Sequence, residues 1–407
     1  MYDLLKGLRV VEAAAFIAGP SCGLHLAQMG AEVIRIDNLG GGPDFHRWPR
    51  ATTGESLYWE GLNKAKKSVA LNLSRPEGRE LAIAIACAPG ENAGLFVTNF
   101  PARGFLAYET LKARRDDLIC ARIMGWPDGR SAVDYTVNSA VGVPMMTGPV
   151  ESAAPVNHVL PAWDLLTGAY AAFALLSAER ARRADGQGRE VRVPLSDMAV
   201  WSLGALGQIA ETTLSGQDRP RTGNDLFGAF GRDFVTQDGR RLMIVAITPR
   251  QWAGLVEALE IGPAVSAVEA ARGVAFTEDE GLRFVHRDAL VPLVEAAVVR
   301  LPAAELERRF DAHGVCWSHY RTLSEALRDE PAFSEANPLL SLKNHASGAY
   351  LTPDAAATLS GAERQAEGSA PVLGQDTEAV LTDVVGLSGA EIARLCDAGV
   401  IAPERSA

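Results

Sequence analysis

One carboxylate stands out by its surroundings. Asp164 lies in the run Val159-Leu160-Pro161-Ala162-Trp163-Asp164-Leu165-Leu166-Thr167-Gly168, where an apolar approach becomes a long helical pattern just after a proline suited to a first helical turn. An aspartate at such a point commonly serves as a helix cap or dipole partner, worth about 0.5–2 kcal/mol. The same free N–H groups and positive helix end also keep a carboxylate ionised, and an ionised carboxylate can attack an activated carbonyl. Position alone leaves cap and nucleophile both open. A second constellation imitates a nicotinamide site: an apolar strand, a turn with glycine, a helix, then Asp37 at the end of a second strand. Gly19, Gly23 and Gly30 do not fall at G-x-G-x-x-G spacing, so the backbone cannot approach a pyrophosphate in the usual way. An ordinary β-α-β unit with a Gly-Pro turn is the favoured reading.

The elements that must hold these residues follow from hydrophobic periodicity. Strand patterns over 8–11 and 32–36 flank a helix over 21–29, further strands are predicted over 68–71 and 94–97, and helices over 78–87 and 108–114. This alternation predicts an α/β fold, a large Rossmann-like domain with a parallel sheet covered by helices. A long helix rich in Ala, Gly and Leu is expected over 161–183 and a second over 196–213. Residues 217–232, dense in Gly, Asp and Arg, read as a crossing to another domain. Beyond it, apolar runs on either side of Asp238-Gly239 predict a hairpin opening a smaller α+β domain. We expect the large domain in 1–216, the small one in 217–330, and a segment over 331–407 that returns to the large domain.

With 407 residues, 47% of them hydrophobic, the chain has ample material for two cores. No charged start leads into an apolar run, and no stretch approaches the ~20 apolar residues of a bilayer span, so no membrane attachment and a cytoplasmic location are expected. A net charge of −11 argues against nucleic acid as a partner. The cysteines 22, 87, 120, 316 and 396 are scattered and never form C-x-x-C, which predicts neither a disulfide framework nor a zinc knuckle, and no metal site is expected.

Several phrases in order along the chain resemble the class III coenzyme A transferases, the CaiB/BaiF family. They are Phe16-Ile17-Ala18-Gly19-Pro20, Gly30-Ala31-Glu32-Val33-Ile34-Arg35-Ile36-Asp37, Leu62-Asn63-Lys64-Ala65-Lys66-Lys67-Ser68, Thr98-Asn99-Phe100, Asp164 with Gly168 and Ala171, and Pro371-Val372-Leu373-Gly374-Gln375-Asp376-Thr377. The resemblance implies an interlocked homodimer, CoA held on the large domain, and Asp164 as the nucleophile. By matching position it implies Phe16, Asn99, Phe100 and Arg103 as contacts to CoA, with Lys64, Lys66 and Lys67 adding charge near its phosphates; a solvated turn is the alternative for the lysines. CoA is expected only as the thioester substrate, with no other cofactor.

The family chemistry passes through a mixed anhydride and an aspartyl-CoA thioester, and each tetrahedral stage needs donors for an oxyanion. Amides at the start of the Asp164 helix, and the loop Gly228-Ala229-Phe230-Gly231, are the candidates; the loop reads equally as an interdomain turn. Racemases of the same fold add a histidine and a glutamate, where this chain has Val133 and Thr248, neither able to move a proton. The phrases Gly40-Gly41-Gly42-Pro43-Asp44, Arg47-Trp48-Pro49 and Val156-Asn157-His158-Val159-Leu160 further resemble a branch that moves CoA from carbon 1 to carbon 4 of a single mesaconyl group. Arg47, with Arg232 behind it, is then the candidate for the distal carboxylate, and Ile17, Tyr58, Asp134 and Asn138 match the acyl pocket. His158 is either a hydrogen-bond donor in the site or structural. Transfer between two separate acids, and CoA binding without catalysis, are the remaining alternatives.

Overall fold

The central strands are buried at nearly every position, because a strand covered on both faces turns no side to solvent. The computed structural model describes residues 1–402. In chain order it carries β1 (Arg9–Ala13), α1 (Ala18–Gln28), β2 (Glu32–Asn38), α2 (Leu57–Asn63), β3 (Lys67–Leu71), α3 (Pro76–Ala86), β4 (Leu95–Thr98), α4 (Tyr108–Lys112), β5 (Ile119–Met124) and α5 (Asp134–Ala140). After the one-turn α6 (Val143–Met146) come α7 (Ala162–Asp185), β6 (Arg189–Pro194), α8 (Leu195–Ala205) and α9 (Gln208–Ser215). The six strands form one parallel sheet in the order β3-β2-β1-β4-β5-β6, the doubly wound arrangement in which the order reverses beside β1.

The chain divides into two compact units. The first holds residues 1–141, 158–210 and 334–407; the second holds 142–157 and 211–333. The second unit is built on the antiparallel sheet β7 (Phe230–Val235), β8 (Arg241–Ala246) and β9 (Cys316–His319). Helices α10 (Pro249–Ala258), α11 (Gly262–Arg272), α12 (Glu280–Val285), α13 (Arg287–Val298), α14 (Ala303–His313) and α15 (Leu323–Asp329) accompany it, around a core that includes Phe230, Trp252, Phe276 and Phe310. The predicted helix over 196–213 is two helices, interrupted at Gly207, whose φ of +74° ends α8.

In the first unit, α7 packs along α1 at a glycine. A Cβ on Gly168 would lie 1.9 Å from Ser21 Oγ and 2.7 Å from the Ala18 carbonyl oxygen, so only glycine permits this approach. Gly23 serves packing too, since a Cβ there would meet Glu12 Oε2 at 1.9 Å. Beneath that turn sits a buried charge network. Arg35 donates to Asp37 (2.8 and 3.0 Å), Asp44 (3.0 and 3.1 Å), Asn63 (3.1 Å) and Glu12 (3.3 Å), while Lys66 donates to Glu12 (2.9 and 3.1 Å), Asn63 and the Pro20 carbonyl.

The last segment carries the hairpin β10 (Leu340–His345) and β11 (Gly348–Pro353), then α16 (Thr377–Val380) and α17 (Gly389–Asp397). It also covers β3, the edge strand of the sheet. Ser68 N donates to Asp376 Oδ2 (2.8 Å), Ala70 N to Thr377 Oγ1 (3.1 Å), and Leu71 bridges Ile401. An edge that would otherwise present free N–H and C=O groups is thereby occupied.

Candidate active site

Ligands of doubly wound sheets bind beyond the carboxyl ends of the strands, where the strand order reverses. Here that point is the turn between β1 and α1. Phe16 adopts φ +69°, a conformation that strains a bulky residue by roughly 1–3 kcal/mol and persists only when its surroundings fix it. Two side chains do so. Asn99, just past β4, accepts from Ala15 N (3.1 Å) and donates to the Ala15 carbonyl (2.7 Å), and Asp44 accepts from Phe16 N (3.1 Å). Asp44 is itself held by Arg35, so the buried network reaches the turn directly. The Phe16 ring is left 40% exposed. Asn99 thus shapes the turn with an amide already engaged, where the sequence predicts a direct contact to CoA.

The guanidinium of Arg47 lies 5.5 Å from the Phe16 ring centre and 5.3 Å from that of Tyr58, a cation beside two aromatic faces. Asp164 is the neighbouring anion. Its carboxyl is half-buried, and it has no hydrogen-bond partner among the described residues. Burial, seconded by the negative charge of Asp134 and opposed by Arg47, pushes its pKa up to about 7. The hydroxyl of Tyr58 is likewise raised, chiefly by burial.

The start of α7 differs from expectation. Asp164 is the third residue of the helix and does not cap it. The capping carboxylate is Asp134, thirty residues earlier, whose Oδ2 accepts from Trp163 N (2.7 Å) and Asp164 N (3.1 Å). Its other oxygen meets His158 Nε2 at 2.5 Å. Ala162 N donates to the Leu160 carbonyl and Leu165 N to that of Pro161. The first amides of α7 are therefore all occupied, and the expectation that they stabilise an oxyanion is corrected. Asp134 and Asn138, expected to line the acyl pocket, are buried at 2% and 0% exposure. They brace α7, Asn138 Oδ1 accepting from Trp163 Nε1 (3.1 Å).

Other candidates fall in different surroundings. Lys64 is 2% exposed and donates to Thr352 Oγ1 (3.0 Å) and the Pro353 carbonyl, so its ammonium is buried under the last segment and engaged there. Lys66 belongs to the buried network. Lys67 pairs with Glu32 (2.6 Å) where β2 and β3 begin, at the amino edge of the sheet and opposite to the Phe16 turn. Ile17 is half-buried beside Phe16, the Phe100 ring packs against the core, and Arg103 is exposed in the turn after β4.

Gly228 (φ +81°) and Gly231 belong to the second unit. Gly231 lies within β7, paired with Val245, so it is a strand residue and not part of a loop. Arg232 is ion-paired with Asp225 at 3.4 Å in the same unit. Of the two positions where racemases carry their proton-moving groups, Val133 precedes α5 with an aliphatic side chain, and Thr248 caps α10 by accepting from Gln251 N. Among the described residues no group of three or more His, Cys, Asp or Glu is arranged to hold a metal ion, and no helix is long and apolar enough to cross a membrane.

Sequence reasoning missed the roles of Asp44 and of the Arg35 network. A signal was present in Asp44, which stands inside a quoted phrase, but nothing local tied it to residue 16.

Comparison with known proteins bears on this arrangement. The family model described as CoA-transferase family III matches residues 5–377. The chain is 47% identical over 410 residues to the 2-methylfumaryl-CoA isomerase of Chloroflexus aurantiacus, with the full length of both covered. It is 28% identical to the succinyl-CoA–D-citramalate CoA-transferase of the same organism, over 96% of each chain. A crystal structure of a CAIB/BAIF family protein from Brucella suis superposes with a TM-score of 0.77 at 24% identity, covering 94% of this chain and all of that one, a likeness of fold.

Proposed function

The chain belongs to CoA-transferase family III, and from that premise we propose that it is an isomerase, moving CoA from carbon 1 to carbon 4 of a single 2-methylfumaryl (mesaconyl) group. Full-length identity to the Chloroflexus isomerase supports the reaction. The observation that carries the chemistry is Asp164, a half-buried carboxyl without a hydrogen-bond partner among the described residues, set beside one cation.

The Asp164 carboxylate attacks the thioester carbonyl at carbon 1, and the C–S bond breaks to give a mixed anhydride and CoA thiolate. The thiolate attacks the aspartyl carbonyl, which yields an aspartyl-CoA thioester and releases the carbon-1 carboxylate. The carbon-4 carboxylate of the retained diacid then attacks that thioester, forming the second anhydride and freeing thiolate again. Attack of the thiolate on carbon 4 completes the exchange and restores Asp164. Atoms and charge balance without water, an oxidant or any cofactor besides the CoA of the substrate. Retention of the diacid replaces an encounter with a free acid by an intramolecular step of high effective concentration.

Arg47 is the cation for the distal carboxylate, since a guanidinium can grip it at two points and the Phe16 and Tyr58 rings hold it in place. Phe16, Phe100 and Arg103, at the carboxyl ends of β1 and β4, receive the CoA moiety. The active form is an interlocked homodimer in the cytoplasm. Sedimentation would report that dimer as twice the 43.3 kDa chain mass.

Incubation with 2-methylfumaryl-CoA and no free acid should give the 3-methylfumaryl isomer by chromatography. Product formed only when an acceptor acid is added would favour transfer between two acids. Hydroxylamine trapping during turnover should modify the Asp164 peptide, and an unmodified peptide would remove Asp164 from the mechanism.

A further inference from the structure

We infer that His158 and Asp134 act as one positioning unit for the nucleophile: His158 fixes the Asp134 carboxylate, and that carboxylate fixes the backbone from which Asp164 projects. The inference rests on the reading of Asp164 as nucleophile.

Asp134 is almost fully buried, and a buried carboxylate is tolerated only when its oxygens are hydrogen-bonded. Oδ2 is committed to the amides of Trp163 and Asp164. Among the described residues Oδ1 has one partner, His158 Nε2. A carboxylate oxygen accepts, so Nε2 is the donor of this pair. His158 is itself held by rings, Tyr135 edge-on at 5.7 Å and Trp163 at 6.2 Å. Asn138, one turn along α5 from Asp134, takes the indole N–H of Trp163. The residue before the nucleophile is thus held at its backbone and at its side chain by two positions of a single helix.

The geometry leaves little freedom for Asp164 to slide along the α7 axis. The proposed exchange needs that constancy. The carboxyl of Asp164 is attacking group in one step and attacked carbonyl in the next, and displacements near 1 Å lower such rates about 100-fold. Without His158, Oδ1 of Asp134 is buried and unpartnered, and the carboxylate can turn away from the α7 amides.

The test compares H158A, H158Q, D134A and the double variant D134A/H158A. H158A should lower kcat about 10- to 100-fold with KM changed less than twofold. H158Q, whose amide can still donate to Oδ1, should recover most of the loss. The double variant should be no slower than D134A alone, as expected of groups acting as one unit. In substrate-free protein, hydrogen exchange of residues 162–165 should be faster in H158A than in wild type.

Wild-type kcat in H158A, an effect on KM alone, losses that multiply in the double variant, or unchanged exchange would each overturn the inference. If D134A does not fold, the H158A and H158Q pair decides. Failure of the wild-type protein to isomerise 2-methylfumaryl-CoA would instead refute the proposed function, while the exchange measurement still tests the positioning unit without substrate.

Discussion

Asp164 carries two opposed demands. Its nucleophilic form is the anion, yet burial and the charge of Asp134 favour the acid. kcat/KM should therefore rise with pH through an apparent pKa of about 7, which a pH–rate profile will show. Arg47 opposes the upward shift, so R47M should move that limb to higher pH as well as weaken substrate binding, readable as a raised KM. The sign for stability is the reverse of the usual aspartate. A folded-state pKa raised above the ordinary 3.8 contributes stability that is fully present below that value and is lost as pH rises through about 7. D164N should abolish turnover and yet stabilise the fold at pH 8 by about 1–2 kcal/mol after allowance for solvent screening, with the gain vanishing in acid. Denaturant titrations at pH 8 and pH 4 would check it. Pro161 and the apolar run before it placed Asp164 at a helix start, while only the family resemblance singled it out as the nucleophile. Its true capping partner was not, because Asp134 lies thirty positions away and only folding brings it to the helix end.

At the scale of elements, the meeting of α7 with α1 depends on Gly168. G168A places a methyl group 1.9 Å from Ser21 Oγ and so must push the helices apart, at a cost of about 1–3 kcal/mol and with a lower kcat; chemical denaturation and steady-state kinetics would read both. The buried network under the Phe16 turn is a second such dependence. E12A would leave Arg35 and Lys66 short of their shared anion, and loss of one partner from a buried charge group costs about 3–5 kcal/mol, measurable as a fall in denaturation midpoint. The β-α-β opening was legible from the short apolar cores Val10-Val11 of β1 and Val33-Ile34 of β2 on either side of a Gly-Pro turn, and β4 from the run Leu95-Phe96-Val97. Strands β5 and β6 escaped notice because arginines interrupt them: Arg122 pairs with Glu190 across the two strands at 2.7 Å, which breaks the apolar pattern while satisfying the charges. The surroundings of the lysines of the third phrase had no local signature: Lys67 begins a strand and so lies at the amino edge of the parallel sheet, opposite the Phe16 turn, while Lys64 and Lys66 find buried partners far away in sequence.

For the molecule as a whole, the first unit is assembled from three separated stretches of chain, and the last of them closes the β3 edge. A truncation after residue 370 should therefore leave the chain prone to associate through β3, seen as loss of the normal species in size-exclusion chromatography. The strands β1 to β4 and the return of the last segment to the large domain were visible in the sequence, whereas its closure of the β3 edge was not, since the contacts between Ser68 and Asp376 span about three hundred residues and have no local signature. That distance has a consequence in time. A ribosome adding about 5–20 residues per second needs roughly 15–60 s to travel from β3 to Asp376, and throughout that interval the emerging chain carries a bare strand edge that chaperones must shield.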